Sequence, residues 1–390
     1  MDRAYLDWNA SAPLRREAQE ALTAALTHCG NPSSVHGEGR TARSVVERAR
    51  EQVAALVGAD LRNVVFTSGG TEANTLALTP FIHIGGDKRP FDRLLVSAIE
   101  HPSVLCGGRF APEKVEQIAA NPDGTISLVA LERRLQALGG ERALVSLMAA
   151  NNETGVIQPI RVAGEIVHRH SGLLHVDAVQ AAGRVPLDIA ALGADLVTLS
   201  AHKLGGAKGA GALIRRDESI HVADPLIRGG GQERGSRAGT ENVAAIAAFG
   251  AAASAVTAGL AAETSHMAGL RDRLESGLRA MTPEAVIFGA DAARLPNTTL
   301  FAMPAAKAET LVIAFDLDGI AVSSGSACSS GKVSPSHVLA AMGVASELAR
   351  GAIRLSTGPA TTEADIDRFL IVWQKLEKSL SSGMKRGLAA

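Results

Sequence analysis

A chain of 390 residues, 46% hydrophobic and 20% charged, can bury a large core, which excludes a disordered or fibrous protein and leaves room for one big domain and a smaller one. The formal net charge of -1 and the pI near 6.8 exclude a long-range pull toward nucleic acid or an anionic membrane. Cys29, Cys106 and Cys328 stand too far apart for a disulfide framework or a metal knuckle, so the expected setting is reducing and cytoplasmic, with no metal site.

The N-terminus, MDRAYLDWNASAPL, carries acidic and polar residues where an export signal needs an apolar run. Short β-branched runs then alternate with helical patterns: NVVFTS, RLLVSA, ALVSLM, GLLHVDA, DLVTLSA and GALIRR. Strands separated by helices predict an α/β fold, a mixed and mostly parallel sheet with helices on both faces. The uncharged stretch Asn242 to Ala262 is long enough for a membrane span. Its larger residues Val243, Ile246, Phe249 and Val256 instead follow helical spacing, as in a helix packed by one face, and no membrane segment is expected. A further helix near Met267 to Met281, strand-like TTLFAM and ETLVIAFDL, a loop around Cys328, a helix from Ser336 to Met342, the strand GAIRLS and a last helix from Thr362 read as a second, α+β domain. The expected division is 13–255 for the large domain, with 1–12 and 256–390 in the small one.

Ligands in such sheets gather beyond the carboxyl ends of the strands, and here those ends are polar. Ser68 to Thr71 form a glycine-rich turn into a helix, with backbone N–H groups for a phosphate or for simple capping. His101, just past RLLVSA, could stack on a flat ring and move protons, or be structural. Asn152 and Gln180 are amides suited to a ring hydroxyl or a substrate carboxylate, or to tying loops together. Asp177 ends GLLHV, so its carboxylate calls for a cationic partner, a pyridinium nitrogen or a structural ion pair. Ser200 and His202 flank Lys203, an amine among small residues that can form a Schiff base. Arg354 emerges from GAIRLS, where a guanidinium can grip a carboxylate with paired hydrogen bonds or close an internal salt bridge. Cys328 lies in SSGSACSSGK, too poor in large apolar residues to bury its thiol, and the segment by itself fits a surface loop as well as a reactive thiol.

Other patterns carry no site. Gly325 to Lys332 resembles a Walker A loop but has one residue too many between its glycines and Val333 where a hydroxyl must hold magnesium. Asp316 to Gly319 begins like a calcium loop without its later acidic ligand, and His168 to His170 reads as a solvated helix end.

Taken in order, GNPSS, TSGGTEAN, EHPSV, NNETG, HVDAVQ, SAHKLGGAKG, RAGTEN and SSGSAC resemble the cysteine desulfurases, specifically the NifS-like branch of the class V pyridoxal-phosphate enzymes, from near Tyr5 to Arg354. The resemblance implies a fold-type I aminotransferase architecture, a homodimer, pyridoxal 5'-phosphate, and conversion of L-cysteine to L-alanine with sulfur left as a persulfide on Cys328. It implies that Lys203 holds the cofactor covalently, Asp177 pairs with the pyridinium nitrogen and Gln180 contacts the ring hydroxyl. Gly70, Thr71, Ser200 and His202 would bind the phosphate, joined by Thr240 from the neighbouring subunit. Arg354 and Asn152 would hold the substrate carboxylate and His101 would act as acid or base. An acceptor protein, preferentially an iron–sulfur scaffold, would take the sulfur. Trp8 stands where the family generally has asparagine, and Ala207 where it has proline. The competing expectations are a selenocysteine lyase or class V aminotransferase on the same scaffold, and a cofactor-free binding protein.

Overall fold

The computed structural model describes residues 3–304, 306–325 and 336–387, with side chains to 378. At its centre is a seven-stranded sheet in the order Val64–Thr67, Gly211–Arg215, Leu196–Ser200, Leu173–Asp177, Ala143–Met148, Arg93–Ser97 and Val115–Ile118. Only Gly211–Arg215 runs antiparallel to its neighbours; the other pairs are parallel. The three central strands are buried along their whole length, which is why they read as unbroken apolar runs instead of alternating ones. The edge strand Val115–Ile118 escaped the sequence reading because VEQI carries only two apolar residues and is largely half-exposed.

The Ala-rich segment and the helix expected after it are one helix, Val243–Met281, of 39 residues. It contains no proline, and its first turns pack on helices Arg16–Leu26 and Gly37–Leu56. Gly250 permits that crossing, because a Cβ there would come within 2.5 Å of the Ala49 Cα. Ile246, Phe249 and Val256 join the core of the large sheet, while Leu270, Leu274 and Leu278 further along join a second core. The helix is long and apolar enough to cross a membrane by length and composition; half of its most apolar stretch is buried inside the molecule.

That second core gathers around a four-stranded antiparallel sheet ordered Val286–Ile287, Thr298–Ala302, Ile353–Ser356 and Ser323–Ser324. Trp373 is fully buried edge-on to Phe301, with ring centroids 5.0 Å apart. The N-terminal residues belong to this core, since Ala4–Tyr5 pairs with Ile320–Ala321 and both Ala4 and Leu6 are buried in it. ETLVIAFDL is not a strand: it lies in the helix Ala308–Leu317, burying Ala308, Leu311 and Phe315 while Ile313 and Leu317 face solvent. Its Val and Ile misled the reading; the spacing of the buried residues is helical, and Gly319, at φ 76°, turns the chain just after it. A smaller cluster, including Ile99 and Met148 from the strand ends and Leu300 and Leu339 from the second unit, seats this sheet on the mouth of the first.

Candidate active site

At the carboxyl ends of the central strands lies a cavity of about 330 Å³, closed on one side by Asn9 and Ala10 and bordered by Arg354 from the second sheet. Ten of the twelve residues singled out from sequence line it: Gly70, Thr71, His101, Asn152, Asp177, Gln180, Ser200, His202, Lys203 and Arg354. Thr240 is exposed and does not line it. Cys328 lies outside the described residues.

Strand Leu196–Ser200 passes into a single 3-10 turn, Ala201–Lys203, which sets the lysine at the cavity. Its Nζ donates to the carbonyls of Asn9, at 2.5 Å, and Ala10, at 3.0 Å. Asp177 closes its strand buried, and accepts from the Val179 N–H at 3.0 Å and from Asn74 Nδ2 at 2.8 Å. Among the described residues no lysine or arginine pairs with it, so the structural ion pair that was one reading of Asp177 is not what it forms. A buried, hydrogen-bonded carboxylate with no salt bridge among the described residues suits a cationic ring nitrogen in the cavity.

The neighbouring helix Gly70–Ala77 begins without a side-chain cap, leaving its first N–H groups for an anion. Gly70 is closely surrounded: an added Cβ would lie 3.1 Å from Val179 Cγ2 and 3.3 Å from Ser200 Cβ. A contiguous cleft carries Gly70, Thr71, Ser200, His202 and Lys208, a cation the sequence reading passed over. Burial, helped by Lys203 and Lys208, holds the His202 imidazole at a pKa of about 4, so it offers a hydrogen bond and no charge. Uncapped amides, hydroxyls, a neutral imidazole and a nearby lysine fit a phosphate group.

His101 caps the short helix Pro102–Leu105, accepting the Ser103 N–H at Nδ1 while the Ser103 hydroxyl stands 2.8 Å from the same nitrogen. That network assigns the proton of the neutral ring to Nε2. Burial pushes the His101 pKa down, with Asp177 opposing and Lys203 and His337 reinforcing the shift. Gln180 is already engaged at both ends, donating to the Asn9 carbonyl at 3.0 Å and accepting from Arg184 at 3.0 Å. Arg354 is 2% exposed and donates to the Asn152 carbonyl at 3.0 Å and to Asp7 Oδ1 at 2.7 Å. The internal salt bridge therefore exists, yet Arg354 Nε has no partner among the described residues. That leaves one buried donor for an incoming carboxylate.

Sequence reasoning missed Asn9, Asn74 and Asp7. Asn74 lies inside TSGGTEAN, so the motif was in hand but not the reach of its amide to Asp177. Asn9 acts through its carbonyl, which side-chain chemistry does not reveal. Trp8 donates to the Tyr5 carbonyl, and its ring covers Gly358, where a Cβ would fall 2.1 Å from the indole. Ala207 packs partly buried against the main core. Away from the cavity, Asp316 pairs with Arg3 and His168 with Asp195 at 2.9 Å, so both are occupied structurally.

Residues 4–369 match the family model for class-V aminotransferases, and the chain belongs to that family. Relatives within it include cysteine desulfurases. One from Cereibacter sphaeroides is 43% identical over 379 residues, 95% of each chain; cysteine desulfurase IscS of Dictyoglomus turgidum is 38% identical over 378 residues, 96% of this chain and 95% of its own. Among solved structures, a NifS-like protein from Rickettsia africae superposes with a TM-score of 0.87 at 37% identity, covering 96% of this chain and 99% of the other. The fold-type I architecture and the dependence on pyridoxal phosphate follow from this membership.

Proposed function

We propose that this chain takes sulfur from L-cysteine, releasing L-alanine, and carries it as a persulfide on Cys328 to an acceptor protein. The observation that carries the reading is one of register: Ser323 pairs directly with Arg354, so the segment leading to Cys328 departs one strand away from the guanidinium suited to the substrate carboxylate. The names of the relatives support it, as does a structure titled SspA in complex with cysteine, at a TM-score of 0.75 and 28% identity over 92% of this chain. The IscS relatives favour an iron–sulfur scaffold as acceptor, and the exposed Thr240 favours a homodimer in which each subunit completes the other's phosphate site.

Lys203 would hold pyridoxal phosphate covalently, Asp177 would face its ring nitrogen, and Gly70, Thr71, Ser200 and His202 would hold its phosphate. When bound, the cofactor supplies an electron sink for charge developing at the substrate's Cα. Arg354 and the Asn152 amide orient the substrate carboxylate, with the unpartnered Nε as the donor in reserve. The amine of Lys203, once released, moves the proton at Cα. With Nδ1 of His101 occupied by Ser103, Nε2 is left to exchange a proton with the substrate thiol. The Cys328 thiolate attacks the substrate sulfur: an S–S bond forms, the C–S bond breaks, and its electron pair stays on carbon, where protons complete the methyl group of alanine. Carbon is reduced as Cys328 is oxidised to the persulfide, so no outside oxidant is required.

The test is alanine release from L-cysteine by Cys328→Ser holoenzyme, expected to fall to background with cofactor binding intact. Undiminished desulfuration by that variant would remove Cys328 from the mechanism. Turnover of selenocysteine at the same rate with or without the thiol would favour the lyase reading.

A further inference from the structure

The turn that carries Asn152 also carries Glu153, a buried acid that the steps above do not use. It is 3% exposed, and among the described residues no lysine or arginine pairs with it. Its Oε2 accepts the Ser336 hydroxyl at 2.5 Å, and a Cβ built on Gly325 would lie 3.0 Å from the same oxygen. Gly325 and Ser336 are the two described residues that flank residues 326–335 and hence Cys328. One end of that ten-residue stretch is therefore hydrogen-bonded to this carboxyl group and the other lies close against it, with little room for a side chain at Gly325.

The surroundings make this a fixed point. Asn151 is fully buried, and its Oδ1 accepts the N–H groups of Glu153 at 2.9 Å and Thr154 at 3.0 Å, which locks the turn. Ser336 also caps the helix His337–Ala341 by accepting the Leu339 N–H at 3.1 Å, and His337 Nε2 is 2.9 Å from the Glu100 carbonyl. On the other side, Ser323–Ser324 is paired to the strand of Arg354. Burial raises the Glu153 pKa to about 7, with Ser336 and Arg354 opposing, so the group is a hydrogen-bonding clasp more than a countercharge.

We propose that Glu153 is a positioning residue for sulfur transfer, its carboxyl group holding one end of the Cys328 segment by the Ser336 hydrogen bond and packing closely against Gly325 at the other, from the turn that also carries Asn152. The proposal rests on Cys328 as the sulfur acceptor. Asn152, which lines the cavity, and Glu153, which bonds Ser336, are adjacent in one turn, so the cavity wall and the base of the sulfur-carrying segment are tied to the same backbone.

The experiment uses holoenzyme with Glu153→Ala, Glu153→Gln, Ser336→Ala and the double variant Glu153→Ala/Ser336→Ala. The readouts are the single-turnover rate of persulfide formation mapped to Cys328, KM for L-cysteine, and cofactor occupancy. Loss of the clasp is expected to slow persulfide formation about tenfold, since misplacement by an ångström costs up to about a hundredfold. KM should stay within about twofold, because that shift leaves substrate contacts in place. Glu153→Gln should restore most of the rate, its amide oxygen still accepting from Ser336, and the double variant should be no slower than Glu153→Ala alone. An unchanged rate in Glu153→Ala overturns the proposal, as does an equal fall in rate, KM performance and occupancy that Gln fails to rescue. If Glu153→Ala does not accumulate folded, Ser336→Ala decides in the same way. Persulfide found on a residue other than Cys328 in the unaltered enzyme sinks the underlying reading, and is distinguishable from a Cys328 persulfide that forms at full speed without Glu153.

Discussion

The cavity has two walls, and they differ in how much of their polar chemistry is already spent. On the wall built by the seven-stranded sheet, Asp177, His101, Lys203 and Gln180 all hold partners from their own surroundings, in short hydrogen bonds to Asn74, Ser103, Asn9, Ala10 and Arg184. On the wall built by the four-stranded sheet, Arg354 keeps an Nε with no partner among the described residues, and the chain leading to Cys328 leaves from the strand beside it. Groups fixed in advance suit a ligand that stays. A donor left open beside a chain segment suits a substrate that comes and goes and a sulfur atom that must be handed on.

The contrast is broken most severely by removing the lysine. Lys203→Ala should lower desulfuration by about 10³-fold or more, as expected for loss of a positioned proton carrier, and should also abolish the cofactor's covalent attachment. Absorbance of the bound cofactor, before and after treatment with a reductant that traps lysine-linked pyridoxal, checks this. The folded protein should survive, because the amine's hydrogen bonds to Asn9 and Ala10 go to backbone carbonyls at the edge of the cavity. A variant that keeps the linkage would show that the first wall has been misassigned.

On the second wall the expected effect is smaller and of another kind. Arg354→Lys should raise KM for L-cysteine by roughly tenfold to a hundredfold, the range for losing a hydrogen bond to a charged group, while leaving cofactor binding intact. Steady-state kinetics beside cofactor titration separates the two. If cofactor affinity falls in step with KM, Arg354 belongs to the permanent machinery and the division between walls is lost.

Most of the first wall was legible in the sequence because each of its residues sits at the end of a strand whose apolar run announces it: Asp177 after GLLHV, Lys203 after DLVTLS, His101 after RLLVSA. What was not legible is made by distance along the chain. Asn9 reaches Lys203 and Gln180 through a backbone carbonyl, Asp7 reaches Arg354, and Glu153 reaches Ser336 across 183 positions. No local pattern encodes such contacts. The helix Ala308–Leu317 was misread for the opposite reason, since its local composition is that of a strand and only its packing face, supplied by the second core, makes it helical.

The first wall also requires that its negative charge be confined to one place, and this yields an effect on stability and not on turnover. Glu100 is fully buried behind Asp177, accepting from Ser97 Oγ at 2.6 Å and the Met148 N–H at 2.8 Å, while its Oε2 has no partner among the described residues. Burial, opposed by those two hydrogen bonds and reinforced by the Asp177 charge, raises its pKa from 4.5 to about 8. The folded state therefore keeps a proton that the unfolded chain gives up, and stability from this group is complete below pH 4.5 and lost as pH rises toward 8. His175, buried between Ser146 and Thr198, has the opposite sign: its pKa falls from 6.5 to about 4, so its share is complete above 6.5 and lost as pH falls toward 4. Glu100→Gln, which imitates the protonated acid, should match the unaltered protein near pH 5 and exceed it near pH 8, by on the order of 4 kcal/mol at most. Urea midpoints of the two proteins across that range measure the gap. A gap that stays constant with pH would mean that Glu100 ionises in the folded state, and that the wall holding Asp177 tolerates two charges where its packing provides for one.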